Sequence, residues 1–410
     1  MTKKGRCLVS LFLLIFFLPF TALADRVVPI TEKSRPDYDA LGIRAGAFTI
    51  KPQITLATEY NDNIYAVTDS KTSDWIFTLA PSVGLASDWS RHSISFDVGA
   101  KAGMYASESD ENYIDGHALF NGSLDVTRDS YITGDLGFRR LHEDRGDPDA
   151  GAFWDQWDEP AVYYQSSGNL SFYQGLGRFD LTTGAGITNL DYRSVDLLDG
   201  TSMDQDGRDR NIYNVNARMA YNMHPEVAPF ITTRYEWREY DESDVERDSE
   251  GYRIGIGTGI NLGGLMTADI YGGYMDQDYD DRDNISGFWY GTSVLWNPTN
   301  LTSIQATAET SIKETTVAEA SGIEAFDAIL EVDHELRRNL LVGANAEYTY
   351  HDYEGEDISD KYYVIGPSLT YLWNRNLEAE LGYRYRTKDS NVSSREYTEN
   401  RFILSVTGSF

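Results

Sequence analysis

The chain has 410 residues, a formal net charge of −30 at pH 7, 41% hydrophobic and 13% aromatic residues, and one cysteine. So acidic a chain is a poor partner for nucleic acid or an anionic inner leaflet, both of which attract Lys and Arg. Beyond the first residues no apolar run is long enough for a helical membrane span, and the abundance of Gly, Tyr and Trp argues against a disordered chain.

Lys3, Lys4 and Arg6 precede the apolar run Leu8 to Phe20, and Ala22-Leu23-Ala24 supplies small residues before Asp25. This arrangement predicts a secretory signal over 1–24, cleaved after Ala24, because the run is shorter than the roughly 18 to 20 residues of a helical anchor. Cys7 lies ahead of the run, so it is not a lipid-attachment cysteine, and the mature chain is expected to have no disulfide or thiol chemistry. Residues 25–47 then form a short periplasmic segment, too short for a plug domain, which disfavours a TonB-dependent receptor. It is expected to be a disordered lead-in beside a barrel mouth, since short termini are unordered unless tied down. The competing reading has it dock a periplasmic component.

From residue 48 to 410 one unit recurs roughly every 40 residues: an alternating strand, an acidic loop, a second alternating strand, a short turn. Strands are predicted near 48–60, 74–87, 92–106, 113–127, 130–142, 160–174, 178–192, 210–224, 227–240, 250–263, 266–280, 285–298, 300–314, 322–336, 339–353, 361–374, 376–387 and 398–410. The fold class is therefore all-β: a transmembrane antiparallel up-and-down β-barrel of about 18 strands, wide enough for a water-filled lumen. Connections alternate between two kinds. Short ones such as Arg128-Asp129, Pro225-Glu226 and Gly263-Gly264 carry turn formers, and long ones such as 143–159 and 193–209 are rich in Asp and Glu. The short turns are expected in the periplasm with both termini, and the acidic loops outside the cell.

The last strand shows the pattern most cleanly. Phe402, Leu404, Val406, Gly408 and Phe410 share one face, and the chain ends on that aromatic. Phe402, Leu404, Val406 and Phe410 are read as the membrane-assembly signal presented to the outer-membrane barrel assembly machinery. Outer-membrane lipid and lipopolysaccharide are the other expected partners; oligomeric state is left open.

Charges confined to the second face of each strand must point into water. The candidate lumen-lining residues are Asp97, Lys101, Asp135, Arg139, Arg218, Arg234, Glu236, Arg238, Glu309, Glu331, Glu347, Arg384 and Arg386, with Glu59, Asp125 and Asp327 beside them. Two readings stand: ion pairs that stabilise a wet interior, or a constriction in which Arg234, Arg238, Arg384 and Arg386 tune selectivity. The sequence does not set these arginines at one height. Aromatics at strand ends (Tyr60, Trp75, Trp89, Trp237, Trp289, Trp296, Tyr348 and Trp373) read as interfacial girdle.

No catalytic constellation emerges from the scattered histidines His92, His117, His142, His224, His334 and His351, so no enzyme activity, cofactor or metal is predicted. Asp204-Gln205-Asp206-Gly207 and Asp276-Gln277-Asp278 match fragments of calcium loops without the full spacing, and read as solvated acidic loops.

One stretch carries a family resemblance. Arg35-Pro36-Asp37-Tyr38, Gly42-Ile43-Arg44-Ala45-Gly46-Ala47-Phe48, the strand from Pro52, Glu59-Tyr60-Asn61-Asp62-Asn63-Ile64-Tyr65, and Pro81-Ser82-Val83 through Ser87-Asp88-Trp89-Ser90-Arg91-His92 together resemble the putative β-barrel porin 2 family of outer-membrane proteins. The resemblance implies an outer-membrane barrel associated with capsule or exopolysaccharide production. It carries over no site residues. The expected function is an outer-membrane pore for passive export of capsular or extracellular polysaccharide, with a periplasmic export component as a further partner. The alternatives are a general or substrate-selective diffusion porin, which needs an inward-folded loop from 143–159 or 193–209, and a barrel enzyme or surface adhesin.

Overall fold

The computed structural model describes residues 27–410 apart from 147–155, 243–246, 281 and 318. The predicted signal segment and Cys7 lie outside the described residues. Eighteen strands close into one barrel. In chain order they are β1 Phe48–Asn61, β2 Asp74–Ser87, β3 Ser93–Tyr105, β4 Tyr113–Asp125, β5 Ser130–His142, β6 Val162–Leu176, β7 Phe179–Tyr192, β8 Arg210–Tyr221 and β9 Val227–Tyr240. There follow β10 Ser249–Asn261, β11 Met266–Tyr279, β12 Ile285–Thr299, β13 Thr302–Lys313, β14 Gly322–Arg337, β15 Leu340–Glu354, β16 Ser359–Asn374, β17 Leu377–Ser390 and β18 Tyr397–Ser409.

Each strand pairs antiparallel with its sequence neighbours, and β1 pairs with β18 from Gln53↔Ser409 to Asn61↔Arg401, which leaves no open edge around the ring. Among the described residues no helix is long and apolar enough to cross a membrane. The backbone groups are instead satisfied between strands, the second of the two solutions available in lipid.

Alternation sorts the side chains. Ile54, Leu56, Phe77, Val98, Leu136, Ile256, Phe288, Ile365, Phe402 and Leu404 are exposed on the outer surface, Phe288 to 78%. The opposite parity (Thr55, Glu59, Asp97, Asp135, Glu347, Arg401) points into the enclosed lumen, where side chains from non-adjacent strands meet. That combination of an apolar outside and a polar inside is the pattern of a barrel with lipid around it and water within.

All eight short turns lie on one rim, together with the start of β1 and the end of β18; the long connections form the other. At the turn rim, Phe410 donates its amide to the Pro52 carbonyl at 3.2 Å. Below it, where β18 has ended, the short strand Ile43–Ala45 takes over the vacant edge of β1 with the register Ile43↔Ile50, Arg44↔Thr49 and Ala45↔Phe48.

Three expectations are corrected here. Residues 27–39 are not a disordered lead-in: Val27, Ile30 and Arg35 are buried inside the turn-rim mouth. Trp289 is not part of the girdle either. It is buried in the lumen with Met275, Tyr279, Ile285 and Ile312, its indole N–H donating to Glu309 at 3.1 Å. The calcium-like run Asp276-Gln277-Asp278 lies within β11 rather than in a loop, with Gln277 buried and donating to Ser249 at 3.0 Å.

Candidate functional site: an ion-paired constriction in the lumen

The arginines acquire a common height once strands are measured from the turn rim. Arg234 lies seven residues beyond Val227, the first of β9, and Arg384 seven beyond Leu377, the first of β17; both strands are 14 residues long. Arg253 on β10 is the register partner of Arg234, and Arg401 on β18 that of Arg384. The two pairs therefore stand at mid-height on opposite sides of the 18-strand ring.

Each pair is accompanied by carboxylates. On one side Arg234 contacts Glu236 at 2.7 Å, Glu236 contacts Arg238 at 2.9 Å, and Arg253 lies 3.9 Å from Glu309. On the other, Arg384 lies 4.0 Å from Glu347, and Arg401 is 3.4 Å from Glu59 and 2.7 Å from Glu399. Arg238 and Arg386 sit higher on their strands and are buried. Arg238 pairs with Glu314 and donates to the Ile312 carbonyl at 3.1 Å, and Arg386 is 2.7 Å from Glu399. Buried ion pairs of this kind fix geometry more than they add stability.

The remaining candidates are distributed around the wall. Asp97 meets His117 at 2.7 Å, Asp135 accepts from Asn169 at 2.9 Å, Lys101 lies over the Tyr113 ring, and Arg139 reaches Gln165 at 3.5 Å. Arg218 pairs with Asp269 at 2.9 Å while stacked on Phe230. Glu331 accepts from Gln305 at 3.1 Å, Asp327 pairs with Lys313 at 3.2 Å, and Asp125 ends β4 at the turn rim. These contacts are made along the wall, and of these residues Lys101 lies near enough to Glu59 to act on the belt electrostatically.

What completes the constriction is a loop. After β5 the chain turns inward, and the Asp144 carboxylate accepts from Arg401 at 2.8 Å and lies 3.9 Å from Arg386. Arg386 also donates to the Arg145 carbonyl at 2.8 Å, and Tyr397 to the Gly146 carbonyl at 2.5 Å. Because β5 and β18 are five strands apart around the ring, residues 144–146 reach across that part of the lumen to Arg401, Arg386 and Tyr397. Burial alone would raise the Asp144 carboxyl, but the Arg401 and Arg386 guanidinium groups outweigh it and hold the carboxyl below its ordinary range.

The loop is held from behind as well. Arg145 is buried against Glu111, with its Nε donating at 3.1 Å, and a second nitrogen donates to the Trp157 carbonyl at 3.0 Å. Burial raises the Glu111 carboxyl, with Arg145 opposing. Glu143 is paired with Arg208, whose guanidinium stacks on Tyr192 at 3.9 Å. Gly146 has φ +68°, and a Cβ there would meet the Ala66 Cβ at 2.5 Å, so only glycine fits between this loop and the β1–β2 loop.

The lumen candidates drawn from the sequence did not include Arg253, Glu399, Arg401, Asp144 or Glu314, although Arg401 falls on the polar face of the last strand and Asp144 in the acidic 143–159 loop. The first three could have been found by extending strand parity, since Arg401 alternates with Phe402 and Arg253 with Tyr252. Asp144 and Glu314 lie in connections, where no periodicity points to a partner.

A closed barrel with a lipid-compatible outer face and a water-compatible, loop-narrowed lumen defines an integral outer-membrane porin. The family described as "Putative beta-barrel porin 2" matches residues 35–410, and the chain belongs to that family. No match is found among curated proteins. Among solved structures, OpdL of Pseudomonas aeruginosa is 12% identical, with 89% of this chain and 100% of that chain covered and a TM-score of 0.44. OccAB4 of Acinetobacter baumannii is 11% identical (88% and 98% covered, TM-score 0.45), and the siderophore receptor PirA of Pseudomonas aeruginosa is 12% identical (88% and 80% covered, TM-score 0.43).

Proposed function

We propose that the protein is a diffusion porin for small polar solutes, oriented with its turn rim in the periplasm and its acidic loops outside. The observation that carries this reading is Asp144, pinned by Arg401 and Arg386 at the height of the arginine belt. A loop fixed there subtracts cross-section from an 18-strand lumen where the wall is most densely charged. The belt is balanced: Arg234, Arg253, Arg384 and Arg401 face Glu236, Glu309, Glu347 and Glu59. A balanced belt offers weak contacts of both signs, so solutes bind without being trapped. Selection is therefore chiefly by size and polarity.

Export of capsular or extracellular polysaccharide, which the family resemblance implies, requires this loop to swing aside for a polymer. Liposome swelling separates the two. Proteoliposomes are expected to swell rapidly in monosaccharides and amino acids and progressively more slowly as oligosaccharides lengthen. Equal rates for short and long saccharides, or loss of surface polymer with polymer retained in the periplasm when the gene is deleted, would overturn the small-solute reading.

A further inference from the structure

The segment that carries the most specific family motifs is not used by the constriction. Residues 27–39 lie inside the turn-rim mouth, on the inward faces of β12, β13 and β14. Asn297 donates to the Val28 carbonyl at 3.0 Å, the Ile30 amide donates to Ser303 Oγ at 2.5 Å, and Lys33 Nζ donates to the Asn300 carbonyl at 2.9 Å. Arg35, 3% exposed, pairs with Glu335 at 3.1 Å and folds back on its own chain, donating to the Ile30 carbonyl at 2.8 Å. Ile30 is 1% exposed. From there the chain passes the β16–β17 turn, where Arg375 donates to the Pro36 carbonyl at 2.9 Å, and reaches the edge of β1. It thus follows the inner side of the rim from β12 round to β1.

We propose that residues 27–39 are a strap that gates the periplasmic mouth, with Arg35–Glu335 as its latch; this rests on the porin reading above. Three features make the strap releasable rather than a fixed part of the wall. It contributes no strand to the ring, so the barrel closes without it. Its anchorage is a small apolar contact, four hydrogen bonds to the rim and a buried ion pair, and such a pair specifies position while adding little net stability, because desolvation offsets the attraction. It is joined to β1 through Gly42 (φ +72°) and Gly46 (φ +65°), which flank Ile43–Ala45 and supply two pivots in a conformation that other residues resist.

Release also changes which charges the mouth exposes. The strap carries Lys33 and Arg35 inward, and its seat is acidic: Glu335 and Asp333 on β14 are buried beneath it, with Glu378 and Glu380 on β17 facing the same mouth. Arg338, 3.6 Å from Glu335, is largely exposed on the turn and remains when the strap leaves. An empty mouth is therefore wider and uncovers the Glu335 and Asp333 carboxylates, although the strap, with Glu32, Asp37 and Asp39 against Lys33 and Arg35, takes no net positive charge away with it.

The test is single-channel recording of the purified full-length protein in planar bilayers, with barrel folding verified by heat-modifiable migration. Arg35→Glu is expected to raise unitary conductance by about twofold or more and shift the reversal potential towards cations. Arg35→Glu with Glu335→Arg, which restores the pair in reverse, should return both values to those of the wild type. A disulfide formed by Ile30→Cys with Ser303→Cys in a Cys7→Ser background should abolish any high-conductance level until reductant is added. If Arg35→Glu and the oxidised pair both conduct as the wild type does, the strap does not gate and the porin reading stands alone. If the wild type itself does not conduct, both readings fall.

Discussion

Asp144 shows how one carboxylate can position a loop. Its pairing with Arg401 and Arg386 depends on charge, and because its carboxyl is held below the ordinary range, that pairing persists until strongly acidic pH. Asp209, at the loop end of β8, behaves in the opposite sense. Burial, with Asp191, Asp206 and Asp241 nearby, pushes its carboxyl up to about 6, against the Tyr192 amide that donates to it at 2.6 Å. A raised carboxyl favours the folded state below its ordinary value and loses that contribution as pH rises through about 6. The 193–209 loop should therefore tighten between pH 7 and pH 5. Hydrogen exchange at Tyr192 and at Asp241, whose amide donates to the Asp209 carbonyl, is expected to slow over that range after correction for intrinsic rates. Asp209→Asn should flatten the dependence; a profile unchanged by that substitution would assign the effect elsewhere.

At the scale of elements, the seam between β1 and β18 explains one motif whose purpose the sequence does not disclose. Asn61 donates to Glu399 at 2.7 Å, Asn63 to the Thr398 carbonyl at 2.9 Å, and Asp62 accepts from the Asn400 amide at 2.7 Å. The run Asn61-Asp62-Asn63 thus staples the first strand to the last at the loop rim. Asn63 is fully buried, so Asn63→Leu leaves the Thr398 carbonyl without this donor and should cost about 1–3 kcal/mol. The heat-modifiability midpoint should fall accordingly, and an unchanged midpoint would remove the staple from the account.

The strands themselves were legible in the sequence, because period-two alternation survives in every segment and the turns carry Gly, Pro, Asn and Asp. Trp289 was misplaced because an aromatic near a strand end looks the same on either face. Its neighbours Phe288 and Tyr290, both exposed to lipid, give the parity that places it inside. The strap was not legible at all. Its partners lie up to 339 residues away, and nothing periodic in 25–47 points to them.

Across the whole molecule, the barrel is narrowed twice: at mid-height by the Asp144 loop and at the turn rim by the strap. The arginine belt was partly legible. Arg234 and Arg384 were candidates from parity alone, but their shared height emerged only when strand starts were fixed. Their opposition across the ring required the closed strand order. The excess negative charge lies largely in the loops and rims, leaving a belt in which charges of both signs are matched.

The most direct test of this account is the unitary conductance of Asp144→Asn beside the wild type in the same planar bilayer. Removing the charge that Arg401 and Arg386 hold should release the loop from mid-height, raising conductance by about 1.5-fold or more and admitting longer oligosaccharides. A conductance and a size limit identical to those of the wild type would contradict the claim that this loop sets the width of the pore.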